Sequence, residues 1–466
     1  MTPLVIADVE VDGRRCDVHL AHGRVTGLQP PQIHRKSIAQ VVGGDGGALL
    51  PGLHDHHIHL FALARAAESV DCSPAAAHDT SGLVYALRRA PAQAGWVRGV
   101  GYHESISGPL DRHTLDRIRS DVPVRVQHRS GALWMLNSAA LDRVQHVLDD
   151  TADVERDGDG NPTGRLWRYD DRLRPALPHS PPDLAATARR LASYGITGLT
   201  DATPDLDPAA VDLLAVAADS GAVPQRLTLL GAPTGAALPA GLTGGPRKLL
   251  LRDHDLPDFD DLAAEIAHSH RAGRPVAVHC VTRESLVLTV VALEEVGALA
   301  GDRVEHAAVV PDGLGAGLAR LGVAVVTQPD FLRTRGEDYL RDVDPADLPH
   351  LYPYAGLLSD GVRVACSSDA PYGDPDPWRV IRSATSRATS LGRTVGAAER
   401  VSAATALAGY LSPADDPGGA PRRIAPGLPA DLVLLDRPLA AALAAPSRDH
   451  VRAVWIAGEP TETGRA

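Results

Sequence analysis

From Gly52 onward, short apolar runs typical of strands alternate with longer amphipathic stretches typical of helices. This alternation predicts parallel strands joined by crossover helices. The candidate strands number eight, as in a closed (β/α)8 barrel, and we therefore predict an α/β fold with a TIM barrel over 51–424. They are 53–59, 195–201, 226–230, 247–251, 276–280, 303–307, 323–327 and 363–368.

Both ends of the chain are rich in β-type sequence. Residues 3–27 contain three short strand-like runs separated by Asp-Gly and His-Gly turns. Similar runs occur at 430–436 and 451–461. We predict one small β-sandwich domain formed by both termini, from 1–50 plus 425–466.

About 135 residues separate the first and second barrel strands, far more than an ordinary connecting loop. This stretch has its own helix and turn signals. We interpret 62–185 as a large insertion after barrel strand 1. We predict that it lies over the barrel mouth and sets substrate specificity.

Composition excludes several classes of function. Among 466 residues, 46 Lys and Arg against 58 Asp and Glu give a net charge of −12. With no basic stretch, this argues against nucleic-acid and membrane partners. No apolar run reaches the roughly 18 residues of a membrane span, and the amino terminus lacks a signal-peptide pattern. The four cysteines are far apart, which predicts no disulfide framework and a cytoplasmic protein.

The densest group of potential metal ligands is the segment PGLHDHHIHL at 51–60. Alternate side chains of a strand share a face, so Asp55, His57 and His59 point together. Two imidazoles two residues apart at the carboxyl end of a barrel strand can bind one divalent ion. A histidine-rich turn with solvated rings is the alternative, and the strand context favours the metal.

Three later strands end in the same class of group. His279 occurs in VAVHC, His306 in RVEHA and Asp369 in VACSSDAP. A lone histidine at such a position is usually a hydrogen-bonded core residue. Four strand ends carrying His or Asp would instead converge on one barrel mouth, where unpaired buried imidazoles and a carboxylate would be costly without a metal. We therefore predict that these groups bind metal together.

Lys248, in PRKLLL on the fourth predicted strand, is one of only two lysines in the chain. A lysine amine held neutral by desolvation can capture CO2, which a guanidinium cannot do. The resulting carbamate is an anionic ligand able to bridge two ions. An ordinary surface or ion-paired lysine is the alternative.

Taken together, these motifs resemble those of the amidohydrolase superfamily of metal-dependent hydrolases. Within it, the chain is similar to the amidohydrolase family 3 branch that includes the N-substituted formamide deformylases. The resemblance extends over nearly the whole chain, including GITGLTDA, DGNPTGRL, LNSAAL, SSDAPYGDPDPW and APGLPADLVLLD. The matching ligand positions occur in the expected order: His57, His59, Lys248, His279, His306 and Asp369.

Departures from the family pattern concern the substrate-facing segments. Relatives often carry Lys-x-x-x-Asp-Gly where this chain has Lys248 followed by LLLRD. The Asp-Gly-His element is replaced by Ser130-Gly131-Ala132, and His-x-x-Gly-Asp by HCVTR at 279–283. These departures affect substrate identity more than reaction type.

The resemblance implies one or two divalent ions, with Zn²⁺ as the first choice. His57 and His59 would hold the first ion, and a second, if bound, would be held by the strand-five and strand-six histidines. Carboxylated Lys248 would bridge them. Asp369 would accept a proton as metal-activated hydroxide attacks and deliver it to the leaving amine.

The expected activity is that of a metal-dependent amidohydrolase acting on C–N bonds other than peptide bonds. The substrate would be a small-molecule amide, N-formyl or N-acyl compound, as for a deacylase. Ring opening of a cyclic amide, imide or lactone is the main alternative, followed by heterocycle deamination. A non-catalytic barrel scaffold is disfavoured because no ligand position is lost, and a homodimer is left open.

Candidate substrate contacts come from the insertion and from loops after the barrel strands. For each of them, packing or local helix capping is the alternative. Arg129 or Arg283 could bind a substrate carboxylate with two parallel hydrogen bonds. The candidates are Tyr102, His103, Glu104, His128, Arg129, Trp134, Asn137, Arg283 and Trp378.

Overall fold

The computed structural model describes residues 3–32, 40–177, 181–235 and 237–462. The chain divides into two compact units. Residues 61–183 form one, here called the insertion unit, and residues 1–60 with 184–466 form the other, here called the main unit. The position of the predicted insertion over a barrel mouth stays a prediction.

The strands are short, as the turn-rich sequence predicts. Those before the insertion are β1 (Leu4–Val11), β2 (Arg14–Ala21), β3 (Arg24–Gln29), β4 (Gln40–Gly43), β5 (Leu49–Pro51) and β6 (Leu53–Ile58). The insertion contains β7 (Val70–Asp71), β8 (Val97–Tyr102), β9 (Val124–His128), β10 (Leu133–Leu136), β11 (Val154–Arg156) and β12 (Pro162–Trp167). After it come β13 (Ile196–Asp201), β14 (Arg226–Leu229), β15 (Leu242–Gly244), β16 (Arg247–Leu250), β17 (Val276–Cys280), β18 (Arg303–His306), β19 (Ala324–Thr327), β20 (Val364–Cys366), β21 (Leu432–Leu435), β22 (Val451–Ile456) and β23 (Glu459–Pro460).

The helices follow the amphipathic stretches of the sequence. The first seven are α1 (Leu60–Ala67), α2 (Pro74–Ala77), α3 (Thr80–Arg89), α4 (Glu104–Ser107), α5 (Arg112–Ile118), α6 (Ser138–Val144) and α7 (Asp170–Leu173). The others are α8 (Leu184–Ser193), α9 (Pro208–Asp219), α10 (Phe259–Arg271), α11 (Arg283–Val296), α12 (Leu314–Leu321), α13 (Phe331–Asp342), α14 (Tyr354–Ser359), α15 (Pro377–Ser386), α16 (Ala403–Leu411) and α17 (Leu439–Ala444). Short 3₁₀ turns occur at Gln145–Val147, Arg174–Ala176, Leu348–His350, Ala397–Glu399 and Arg448–His450.

The two termini form two four-stranded sheets, with strand orders β3-β2-β1-β4 and β23-β22-β21-β5. Apolar side chains of both sheets share one buried cluster, in which Ile6 and Val18 lie with Leu432 and Trp455. Buried and partly buried residues alternate in the second half of β1 and of β2, which follows from one face packing on this core.

Each of the eight predicted main-unit strands occurs within two residues of its predicted bounds. They do not form one closed ladder, however, but two parallel sheets ordered β15-β14-β13-β6 and β16-β17-β18-β19-β20. The prediction missed β15, which pairs with β14. Pro246, which lacks an N–H, separates β15 from β16, and the three-residue β20 is too short to continue the pairing.

Individual backbone hydrogen bonds join the two sheets where the ladders stop. The Lys248 N–H donates to the Leu230 carbonyl at 3.1 Å, and the Asp369 N–H donates to the His57 carbonyl at 2.8 Å. These bonds hold the carboxyl end of β6 beside the segment that follows β20. Two of the predicted ligand positions are thereby brought together.

The insertion unit has its own six-stranded sheet, ordered β11-β12-β10-β9-β8-β7. Two buried apolar clusters support it, one around Leu83, Val97 and Val126, and the other around Leu136 and Leu166. A separate core of this kind explains why so long a segment keeps ordered helices and strands.

In the part of the chain that the structure describes, no helix combines the length and the apolar character needed to cross a membrane. All four cysteines lie in described segments and carry free thiols. Cytoplasmic location stays a prediction.

Candidate metal centre

The carboxyl end of β6 and the segment after β20 bring two imidazoles to one carboxylate. Besides the bond from Asp369 to His57, the His59 N–H donates to the Ala370 carbonyl at 2.9 Å. The Oδ1 atom of Asp369 lies 3.5 Å from His57 Nε2 and 3.3 Å from His59 Nε2. Backbone pairing therefore sets this part of the geometry.

The neighbouring strands β17 and β18 add two further imidazoles. The ring centroids of His279 and His306 are 4.4 Å apart, and those of His306 and His57 are 4.9 Å apart. Ligand atoms of His57, His306 and Asp369 all lie within 4.8 Å of one another. Four strand ends thus contribute side chains to one cluster.

Hydrogen bonds fix the tautomer of two of these imidazoles. His57 Nδ1 contacts Glu305 Oε2, and His306 Nδ1 lies 2.8 Å from Gln328 Oε1. The Gln328 amide nitrogen donates to Ser367 Oγ at 2.8 Å, which leaves its oxygen for His306. Since both partners are acceptors, each Nδ1 carries the hydrogen and each Nε2 presents a lone pair.

Three polar atoms in this cluster lack partners. His57 Nε2, Lys248 Nζ and Asp369 Oδ1 are buried and have no hydrogen-bond partner within the described segments. Leaving such groups unsatisfied is costly, and native proteins rarely do so. A cation coordinated by nitrogen and carboxylate oxygen would satisfy them, so the donor set fits a divalent metal ion.

Burial also sets the protonation states that a metal site requires. It lowers the pKa of His57 and of His306 well below the usual value, and that of His279 to about 3. The neutral imidazole is the ligating form. Burial likewise lowers the pKa of Lys248, against the opposing charges of Glu305 and Asp369. This favours the neutral amine, the form that reacts with CO2.

Two of the predicted ligands adopt left-handed backbone conformations. The φ angle is 71° at His306 and 52° at Asp369. Non-glycine residues in this region cost about 1–3 kcal/mol and persist where the surrounding structure holds them. Such strain is common at functional sites.

Sequence reasoning missed three buried residues beside the cluster: Arg303, Glu305 and Gln328. Arg303 and Glu305 alternate along β18 and therefore share a face. Two opposite charges at alternate positions of a strand whose four residues are all buried were the available signal. Gln328, just after β19, carried no comparable signal.

A second cluster lies in the insertion unit, where ligand atoms of His103, Glu104 and His128 come within 4.8 Å of one another. Here backbone N–H groups donate to Nδ1, from Ser105 to His103 at 3.3 Å and from Ser130 to His128 at 3.1 Å. Each Nδ1 is thus an acceptor, and each neutral ring carries its hydrogen on Nε2. In this arrangement His128 Nε2 donates to Glu104 Oε2 at 3.0 Å, and neither Nε2 atom presents a lone pair to a metal.

Four of the predicted substrate contacts are buried with their polar atoms committed elsewhere. Tyr102 Oη donates to the Gly108 carbonyl, and Asn137 caps α6. The indole nitrogens of Trp134 and Trp378 donate to Asp170 Oδ1 and the Tyr194 carbonyl. In this structure the polar atoms of these four residues are engaged in internal hydrogen bonds, and substrate contact by any of them stays a prediction.

The remaining candidates are the charged residues and histidines. Arg283 forms an ion pair with Asp347, so its guanidinium is already engaged by a carboxylate. The Arg129 N–H donates to the Tyr102 carbonyl within the insertion unit. Substrate contact by these two residues, or by His103, Glu104 and His128, stays a prediction.

Known proteins resemble this chain over most of its length. The N-substituted formamide deformylase of Arthrobacter pascens is 26% identical over 497 residues, covering 92% of this chain and 90% of the relative. A metal-dependent hydrolase of Pyrococcus horikoshii matches with a TM-score of 0.77 at 18% identity, over 97% of this chain and 99% of its own. For N-isopropylammelide isopropylaminohydrolase of Burkholderia multivorans the TM-score is 0.52 at 17% identity, over 99% and 98% of the two chains.

At 18% and 17% sequence identity, the two solved structures show that the fold is similar and nothing more. The family model provides the assignment, because it extends from the terminal β-strands through both units. The model described as the amidohydrolase family matches residues 40–461, and the chain belongs to that family.

Proposed function

We propose that the protein is a metal-dependent hydrolase that cleaves the C–N bond of a small N-formyl or N-acyl amide. One observation carries the proposal: ligand atoms of His57, His306 and Asp369 lie within 4.8 Å of one another, with Nε2 lone pairs on both imidazoles. Family membership supports the reaction class. The name of the Arthrobacter pascens relative supports N-formyl amines as the first substrates to test.

Imidazole nitrogens and carboxylate oxygen suit Zn²⁺, which is our proposed metal. A divalent ion bound here would lower the pKa of a bound water molecule to about 7 and polarise a carbonyl. The chain's own part is to keep His57, His279 and His306 neutral, because desolvation lowers the pKa of each imidazole. Gln328 and Glu305 direct two of these rings through Nδ1.

We assign the general base to Asp369. A carboxylate oxygen would take the proton of the attacking water and deliver it to the leaving nitrogen. Its backbone N–H donates to the His57 carbonyl, and its Oδ1 lies 3.3 Å from His59 Nε2. These contacts orient the carboxylate toward the ligand cluster.

We also propose that Lys248 reacts with CO2. Its unprotonated Nζ would form an N–C bond with the carbon of CO2 and lose a proton, leaving an anionic carbamate. The buried Nζ has no hydrogen-bond partner within the described part of the chain. The carbamate would supply oxygen ligands for one ion or a bridge between two.

The decisive experiment combines metal analysis with two isosteric substitutions. Wild type, Asp369→Asn and Asp302→Asn are purified without added metal and assayed with N-formyl, N-acyl and cyclic amides. Asp302 is a matched control because it is buried, precedes β18 and accepts a hydrogen bond from His270. We expect Asp369→Asn to retain metal and lose about 10²–10⁴-fold in kcat.

Two results would contradict the proposal. Metal-free wild type that is fully active would exclude a metal-dependent reaction, and undiminished turnover by Asp369→Asn would exclude the assigned base. A preference for cyclic amides would keep the chemistry and change the substrate class. For Lys248, metal loading is measured with and without bicarbonate. Loading that depends on bicarbonate in wild type but not in Lys248→Ala would support the carbamate.

A further inference from the structure

Two buried charged side chains on β18, those of Arg303 and Glu305, are linked by hydrogen bonds to His57. The carboxylate of Glu305 contacts His57 Nδ1 through Oε2 and Arg303 Nε through Oε1. Arg303 also donates from Nη2 to the His56 carbonyl at 3.0 Å. The side chains of His57 and Glu305 are fully buried, and that of Arg303 is 1% exposed.

These residues come from strands that are not paired. His57 lies on β6, which pairs with β13, whereas Arg303 and Glu305 lie on β18, which pairs with β17 and β19. The contacts therefore hold β6 in two ways, through the backbone carbonyl of His56 and through the side chain of His57. Two charges placed in so dry an environment are costly to desolvate, so hydrophobic packing alone does not explain them.

The direction of these hydrogen bonds determines the state of the imidazole. Arg303 can only donate, and it therefore occupies one oxygen of Glu305. The other oxygen can only accept, so His57 Nδ1 must carry the hydrogen. The lone pair is then on Nε2, the atom that lies 3.5 Å from Asp369 Oδ1.

We propose that Glu305, held in place by Arg303, is a positioning residue that fixes His57 as a metal ligand through Nε2. The inference rests on the proposed function, because it assigns a role toward the ion that the cluster would bind. A hydrogen-bonded carboxylate behind a ligating histidine typically contributes 10–100-fold in metal affinity or activity.

Glu305→Gln tests the tautomer of His57, because glutamine has nearly the same size and shape as glutamate. Arg303 continues to donate and holds the amide oxygen, so the amide NH₂ faces His57. His57 Nδ1 must then accept a hydrogen bond, which moves the ring hydrogen to Nε2 and removes the lone pair. We expect Co²⁺ affinity of the metal-stripped protein to fall by about 10–100-fold, with a changed Co²⁺ absorption spectrum.

Asp302→Asn is the matched control. It makes the same carboxylate-to-amide change in a buried histidine–carboxylate pair, that of His270 and Asp302, just before β18. We expect its Co²⁺ affinity and spectrum to match those of wild type. Equal affinity and spectrum in Glu305→Gln and wild type would overturn the inference. An equal loss of Co²⁺ affinity in both variants would overturn the inference too, because a general loosening of the main unit would then explain the loss.

A double variant covers the case in which Glu305→Gln does not fold. Arg303→Met with Glu305→Gln removes the buried charge and lets the amide oxygen turn toward His57 Nδ1, so affinity is expected to recover to within about threefold of wild type. Affinity lowered tenfold or more in a folded double variant would overturn the inference. Failure of the proposed function is distinct, because wild type itself would then bind no Co²⁺ at this cluster.

Discussion

Each compact unit contains a cluster of histidines beside a carboxylate, and the two clusters differ in the direction of their hydrogen bonds. In the main unit, His57 and His306 donate from Nδ1 to Glu305 and Gln328. In the insertion unit, His103 and His128 accept at Nδ1 from backbone N–H groups. The first pattern leaves lone pairs on Nε2, and the second leaves hydrogens there.

The clusters also differ in solvation. In the main unit His57, His306 and Asp369 are buried, whereas His103, Glu104 and His128 are only partly buried. Burial removes the water that would otherwise satisfy unpaired polar atoms, so it makes a bound cation favourable in one place and unnecessary in the other. Proximity of metal-ligating residue types is therefore weaker evidence than the hydrogen-bond partners behind them.

The largest difference is expected when one histidine of each cluster is replaced by asparagine. His57→Asn should remove tight metal binding and reduce turnover by more than the roughly 10–100-fold typical of losing an outer hydrogen-bond partner. His128→Asn should leave the metal content unchanged. Elemental analysis and kcat of both variants measure this, and loss of metal from His128→Asn would invalidate the comparison.

The next effect concerns stability of the insertion unit. Asn137 accepts hydrogen bonds from the N–H groups of Val124 and Ala140 and donates to the carbonyls of Arg119 and Val122. Asn137→Ala leaves these groups unpaired, so we expect a loss of about 2–4 kcal/mol in unfolding free energy. Denaturant unfolding measures the loss.

Asn161→Ala is the control for this substitution, because Asn161 lies in an exposed turn of the same unit. We expect a change within about 0.5 kcal/mol. Metal content should be the same in both variants. Metal loss in Asn137→Ala would show that the insertion supports the metal site directly.

A smaller effect is expected for Glu104→Gln, the counterpart of Glu305→Gln in the second cluster. Glu104 is about one-third exposed and pairs with His128 at 3.0 Å. Such pairs contribute less than about 1 kcal/mol, and we expect a correspondingly small change in unfolding free energy with no change in Co²⁺ affinity. A tenfold weaker affinity would place Glu104 at a metal site.

The smallest effect is a change in pH dependence. Burial lowers the pKa of His128, while the carboxylate of Glu104 opposes the shift. Below about pH 6.5 the unfolded chain binds a proton that the folded chain does not, so stability falls as the pH decreases. His128→Gln should show a shallower decrease in melting temperature between about pH 7 and 5.5 than wild type. Equal slopes would contradict the assignment.

Local sequence was sufficient to predict the main-unit strands and the residue types at their ends. The apolar runs before His279, His306 and Asp369 identified β17, β18 and β20 because strand periodicity is a property of adjacent residues. The same reasoning placed Asp55 and His57 on one face. It did not predict β15 or the break at Pro246, because Leu242–Gly244 contains a single apolar residue and therefore shows no apolar run.

By itself, the sequence determined which residue types stand at the strand ends and which chemistry they can support. Only the tertiary structure decided which imidazoles present lone pairs, since that depends on partners such as Glu305, 248 residues from His57. It also placed the side chain of Trp378 in the buried interior. The physical reason is that hydrogen-bond direction and desolvation arise from packing between distant segments, which no local pattern encodes.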